Sequence, residues 1–166
     1  MRQVTLLELA ELATGRAINR IYLHWSAGHY GQFSPAYHIH VDHDSSIYVA
    51  GDDLEKVKAH TWRRNTGAIG VSLACCYNGN SNDLGPEPPT EAQIEGMAAV
   101  IATLCQAIPL PLSEVMTHAE IADVDGYGPA TTCERWDLAI LRNGEAWMSG
   151  GDQLRALAAA KMEGGI

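Results

Sequence analysis

The segment Ile21-Tyr22-Leu23-His24-Trp25-Ser26 constrains this chain most, because it reads as an apolar strand that delivers a histidine to its end. Met116-Thr117-His118 delivers a second histidine in the same way, just before a polar, glycine-containing loop. That loop returns with Arg135-Trp136-Asp137, an arginine and a carboxylate. Two imidazoles and one carboxylate are a three-ligand set for zinc that leaves the fourth position open to water. An open zinc is a hydrolytic tool, so the pattern points to cleavage of an amide or ester.

The remaining elements follow from periodicity and end signals. Leucines at 6, 7, 9 and 12 make Thr5 to Ala13 an amphipathic helix, and Gly15 ends it. Arg20 to Trp25, the alternating Tyr37 to Asp42, Ile47 to Ala50, Ala68 to Leu73 and Glu114 to Thr117 read as strands, with a turn at Asp44-Ser45-Ser46. Asn78 to Pro89 is a loop rich in Asn, Gly and Pro. Thr90-Glu91-Ala92-Gln93 is a capping-box signature for the longest helix, to about Ala107, which Pro109 and Pro111 stop. A helix is expected to begin over Trp136 to Arg142, and Asp152 to cap a last one through Lys161. The fold class expected is α/β: a single domain, residues 1–166, with a mixed central β-sheet flanked by helices.

With 166 residues the chain can bury a core without disulfide staples. A net charge of −9 argues against nucleic acid or an anionic membrane as partner. Glu8 and Glu11 break the first apolar run too early for a signal peptide, and no stretch approaches the roughly 20 apolar residues of a membrane span. Synthesis in a cytoplasm is the expectation, with Cys75, Cys76, Cys105 and Cys133 as free thiols. Cys75 and Cys76, adjacent at a strand end, should point one in and one out.

His24 in its Leu-His-Trp-Ser-Ala-Gly context resembles the first metal motif of the zinc amidases that cleave N-acetylmuramoyl-L-alanine bonds. That family includes amidase-type phage lysozymes, cytosolic anhydromuropeptide amidases and peptidoglycan recognition proteins. Tyr37-His38-Ile39 is similar to its second motif. His60 through Asn65, followed by Ile69-Gly70-Val71-Ser72, resembles the third. His118 followed by Arg135-Trp136-Asp137 resembles the last. The four stand in the family's order across residues 20 to 140.

The resemblance implies that His24, His118 and Asp137 hold Zn2+. It gives Tyr37 the place of the tyrosine that activates water or stabilises the oxyanion. Some relatives carry a glutamate base where this chain has Ser72, so the identity of the base stays open. Arg135 stands where relatives carry a catalytic lysine; its guanidinium can hold an oxyanion but cannot shuttle a proton. The interval from His118 to Asp137 is longer than usual, and Cys133 within it is the alternative third ligand. His60 matches a position near the substrate groove. Trp62, Arg63, Arg64 and Asn65 offer a groove wall, with Arg able to pair with stem-peptide carboxylates and Trp to stack on a sugar. His38 is expected to support the metal site through a hydrogen bond, and His29, His40 and His43 to lie on the surface. Trp25, Trp136 and Trp147 fit core positions equally well.

The function so implied is hydrolysis of the amide between N-acetylmuramic acid and L-alanine in peptidoglycan, by a monomeric phage or prophage endolysin. It would be made in the cytoplasm and act on the wall after membrane permeabilisation. The alternatives are a cytosolic muropeptide-recycling amidase and a non-catalytic peptidoglycan-binding protein.

Overall fold

The computed structural model describes residues 1–126 and 136–164. Among them six strands form one mixed sheet: β1 (Arg2–Val4), β2 (Arg20–Trp25), β3 (Ile39–Val41), β4 (Ile47–Val49), β5 (Ala68–Leu73) and β6 (Val115–Thr117). Their order is β1-β4-β3-β5-β2-β6. The run β3-β5-β2-β6 is parallel, and β4 and β1 add an antiparallel edge. The described helices are α1 (Leu6–Ala13), α2 (Glu91–Ala107), α3 (His118–Asp125) and α4 (Gly150–Gly164). This is the single-domain α/β architecture read from the sequence.

Side chains alternate across a strand, so register decides what each face of the sheet carries. Ile21, Leu23 and Trp25 of β2 lie opposite Ile69, Val71 and Leu73 of β5, and Ile39 and Val41 of β3 continue the same rows. These residues form the main core with α2, whose Ile94, Met97, Val100 and Ile101 are fully buried. Gly96 lets α2 approach, because a Cβ there would stand 2.9 Å from Val41 Cγ1. Gln93 Nε2 donates to the carbonyls of Val41 and Ala74 at 3.2 and 3.1 Å, tying the start of α2 to the carboxyl ends of β3 and β5. The opposite face carries Tyr22, His24, Gly70, Ser72 and His40.

Helix starts follow the expected chemistry. Capping boxes close α1 with Thr5 and Glu8, and α2 with Thr90 and Gln93. Several expectations are corrected. Residues 119–125, read as loop, form α3, again with a capping box, from Thr117 and Glu120. Trp136 to Arg142 does not form a helix: it is a series of turns, with Leu138 at φ 60° and the amides of Leu141 and Arg142 satisfied by the Glu145 carboxylate. Asp152 lies inside the first turn of α4, bonded to Arg155, rather than at its cap. Tyr37 and His38 sit in a bend ahead of β3. Cys75 and Cys76 are both fully buried, because Cys76 turns at φ 66° and leaves the strand alternation.

Candidate metal centre and active site

β2 and β6 are parallel neighbours, so their carboxyl ends lie side by side. His24 is the penultimate residue of β2, and His118 directly follows β6. Their rings stand 4.8 Å apart between centroids at 68°. Thr117 fixes the start of α3 by accepting from the Glu120 amide at 3.2 Å, and Ile121 packs into a small cluster with Tyr22, Ala68 and Met116. Asp137 comes from the turn that follows residue 135. Its backbone carbonyl accepts from the Ala119 amide at 3.1 Å, one of the first-turn donors that a helix leaves free.

One carboxylate oxygen then serves both imidazoles. Asp137 Oδ2 is 3.1 Å from His24 Nδ1 and 3.2 Å from His118 Nδ1. The three candidate ligand atoms all lie within 4.8 Å of one another. Tetrahedral zinc with bonds of about 2.0–2.2 Å separates its ligands by about 3.3 Å, so the spacing already matches. Asp137 Oδ1 is buried and has no hydrogen-bond partner among the described residues, as expected of a group that would hold more than two imidazoles.

The electrostatics agree. Burial lowers the His24 pKa to about 4, against the opposing pull of its bond to Asp137, so the ring is neutral at pH 7. Burial pushes the Asp137 carboxyl up, but bonds from His118 and His24 outweigh it and the net shift is downward. The result is a buried negative charge beside a neutral imidazole, an arrangement that a divalent cation would compensate. His24, His118 and Asp137 therefore form a group fit to hold a metal ion.

The surroundings orient this group. His24 Nε2, the nitrogen turned from Asp137, meets His60 Nδ1 at 3.3 Å and Thr61 Oγ1 at 3.4 Å. Such contacts fix the orientation of a metal-binding imidazole. Gly70 makes room for His60, since a Cβ there would stand 2.8 Å from the ring. Burial, followed by the facing imidazoles of His24, His38 and His118, drives the His60 pKa strongly down. Tyr37 packs against His24 with centroids 5.0 Å apart.

Other expected residues are placed as follows. Trp62 is exposed, with the Arg63 guanidinium 5.2 Å over its ring, beside a cavity of about 510 Å³ lined by 59–63 and Asn65. Arg64 Nε donates to Asp125 Oδ2 at 3.0 Å, and a second contact completes a forked ion pair. Asn65 Oδ1 accepts from the amides of His60 and Thr61, so it shapes the loop. Arg135 and Cys133 lie outside the described residues. His29 and His43 keep half-exposed side chains, but His40 is wholly buried, which corrects its surface assignment. His38 bridges the Gly70 amide and the Lys56 carbonyl, and its described ring contact is with His60, not with the metal-side histidines. Thr61 was missed. The α3 start was missed too, although Thr117-x-x-Glu120 stood in the sequence as its signature.

Residues 13–136 match the family model described as N-acetylmuramoyl-L-alanine amidase, and the chain belongs to that family. The activity is hydrolysis of the amide between N-acetylmuramic acid and L-alanine, and peptidoglycan is the substrate. No match was found among curated proteins. Among solved structures, the chain is similar to the endolysin amidase LysCS from Clostridium intestinale URNW, with 18% identity, 66% of this chain and 73% of that chain covered, and a TM-score of 0.48. It is also similar to the Ph2119 endolysin of Thermus scotoductus bacteriophage Ph2119, with 16% identity, 64% and 74% covered, and a TM-score of 0.49. Drosophila peptidoglycan recognition protein SA is a third, at 16% identity, 64% and 70% covered, and a TM-score of 0.47.

Proposed function

We propose that residues 1–166 are one catalytic domain, a monomeric zinc-dependent amidase of the endolysin kind, made in the cytoplasm and acting on the wall once the membrane is permeabilised. The observation that carries the zinc assignment is the buried His24-His118-Asp137 group, with an Asp137 Oδ1 that has no partner among the described residues. The four motifs are common to the phage, recycling and recognition members of the family, so the endolysin placement is a choice among them that sacculus digestion tests. Among the described residues no helix is long and apolar enough to cross a membrane.

His24, His118 and Asp137 would hold the zinc, which would supply a Lewis acid for the scissile carbonyl and lower the pKa of water at the open position. The remaining work falls to the chain. Tyr37, packed on His24, offers a hydroxyl to the oxygen that gains charge as the carbonyl becomes tetrahedral. The family resemblance gives Arg135, outside the described residues, the role of a fixed positive charge for the same oxygen. His60 and Thr61 hold the His24 ring in its orientation. His60, Trp62 and Asn65 line or shape one wall of the groove, where an indole face suits a sugar ring, while the Arg64 guanidinium would take a stem-peptide carboxylate in exchange for its pair with Asp125.

Incubating purified sacculi with the protein and analysing the products by mass spectrometry tests this reading. Free stem peptides with intact glycan chains are the expected products, with one zinc per chain by elemental analysis. Turnover confined to soluble muropeptides would indicate a recycling enzyme. Binding to sacculi without release, by a metal-free protein, would overturn the catalytic reading.

A further inference from the structure

The site face of the sheet carries a buried imidazole, His40, that the chemistry above does not use. His40 and His24 both lie directly opposite Ser72, on either side of it, so the three form one row. Tyr37 sits over that row, 5.0 Å from the His24 centroid and 5.4 Å from that of His40, edge-on to the latter at 87°. His40 is wholly buried, in a strand where its neighbours Ile39 and Val41 are apolar. An aliphatic side chain would fill the place without burying a polar ring, so the ring calls for a polar reason.

That reason lies at Ser34. His40 Nε2 is 2.8 Å from the Ser34 carbonyl, and the Ser34 amide points its hydrogen at the same nitrogen from 3.1 Å, so Ser34 holds the ring in either tautomer, as donor to the carbonyl or acceptor from the amide. Ser34 is the base of the short loop that carries Tyr37: its hydroxyl accepts from the Ala36 amide at 3.2 Å, and its carbonyl lies 3.5 Å from the Tyr37 amide. Phe33 packs on the same imidazole at 5.3 Å. His40 therefore grips the loop at its base with a hydrogen bond and meets the Tyr37 ring with its edge.

We propose that His40 is a positioning residue, which holds the phenol of Tyr37 where the reacting carbonyl oxygen gains charge. This rests on the reading of Tyr37 as the oxyanion partner. Small displacements of a catalytic group are expensive in rate, and the loop of residues 34–37 has no regular structure of its own to hold it.

The test uses the full chain loaded with zinc, on sacculi. His40→Leu is expected to lower kcat about tenfold, with KM and zinc content as in the parent. His40→Gln, whose amide nitrogen reaches the Ser34 carbonyl, should restore most of that loss. In a Tyr37→Phe background, His40→Leu should add less than about twofold, because the group it positions is gone. An unchanged kcat in His40→Leu, or a full second loss in the Tyr37→Phe background, would overturn the proposal. If His40→Leu does not fold, His40→Asn, too short to reach Ser34, takes its place against His40→Gln. The ring resonances of Tyr37 in metal-free protein give a reading free of turnover. They should show one conformer in the parent and in His40→Gln, and averaging in His40→Leu; a single unaveraged conformer in all three would refute the idea. An inactive parent with these resonance changes would refute the amidase reading and leave the positioning role standing.

Discussion

The two faces of the central sheet are built from the same strands and are both buried, yet they obey different rules. The face under α2 is filled by Ile21, Leu23, Ile69, Val71, Leu73, Ile39 and Val41, residues that lose nothing polar on burial. The other face buries His24, Ser72, His40 and, beyond the strand end, His118 and Asp137. Each of these polar groups must recover a partner or is left at a cost of about 1–3 kcal/mol. The comparison teaches that hydrophobic contact secures the fold from one side, while the other side is arranged for charge and hydrogen bonding. Substitutions on the two faces should therefore fail in different ways.

The largest effect is expected on the polar face. Asp137→Asn keeps the side-chain volume and removes the charge that compensates a cation. It should lose zinc and lower turnover by more than about 100-fold, since supporting partners of metal ligands alone are worth about 10–100-fold. Its melting should remain cooperative, because Asp137 sits in a turn and fills no part of the apolar core. Elemental analysis and sacculus digestion check both statements. Full zinc content with parental turnover would instead move the third ligand to Cys133.

On the helix-covered face the pattern reverses. Leu23 is fully buried, beside His24 in sequence but on the opposite side of the sheet. Leu23→Ala should lower stability by about 3 kcal/mol in denaturant titration, through lost transfer energy and a cavity. Turnover per folded molecule and zinc content should stay near the parental values. A loss of zinc in this variant at full folding would show that the two faces are coupled more tightly than alternation implies.

How legible each face was follows from the same division. Apolar alternation and Thr-x-x-Glu/Gln caps are local signals, so β2, β5, α1 and α2 could be read from the sequence. The pairing of His24 with His118 was legible because both follow apolar runs that end as strands. What escaped depends on distant partners. His40 looks like a surface histidine until Ser34 is seen to bind it. Residues 136–142 carry a helix-like run of apolar residues, but Glu145 satisfies their amides and the Asp137 carbonyl is committed to Ala119, so turns prevail. The α3 helix carries its start signal in Thr117-x-x-Glu120, but its eight residues hold acidic side chains and little apolar periodicity, so the segment resembles a polar loop.

The smallest effect separates the faces by pH. His38 accepts from the Gly70 amide at Nδ1, 3.0 Å, and donates from Nε2 to the Lys56 carbonyl, 2.8 Å, so its surroundings fit the neutral ring. A proton on Nδ1 would point at another donor. Burial, the main cause, lowers the His38 pKa from the ordinary 6.5, and it lowers that of His40 in the same direction. Below pH 6.5 the unfolded chain takes up protons that the folded chain still refuses, so the unfolded state binds more and stability rises with pH in that window. The contribution is fully present above 6.5 and is lost as pH falls toward the folded-state values. In metal-free protein, stability from denaturant titration should thus decline as pH is lowered from 7.5 to 5.5. His38→Asn should flatten the decline, while Leu23→Ala should run parallel to the parent across this range, because burial pushes the Cys75 and Cys105 thiols on its face up, well above it. A His38→Asn curve parallel to the parent would mean that His38 takes its proton in the folded state as readily as in the unfolded one, and the pH contrast between the faces would then rest on His24, His40 and His60.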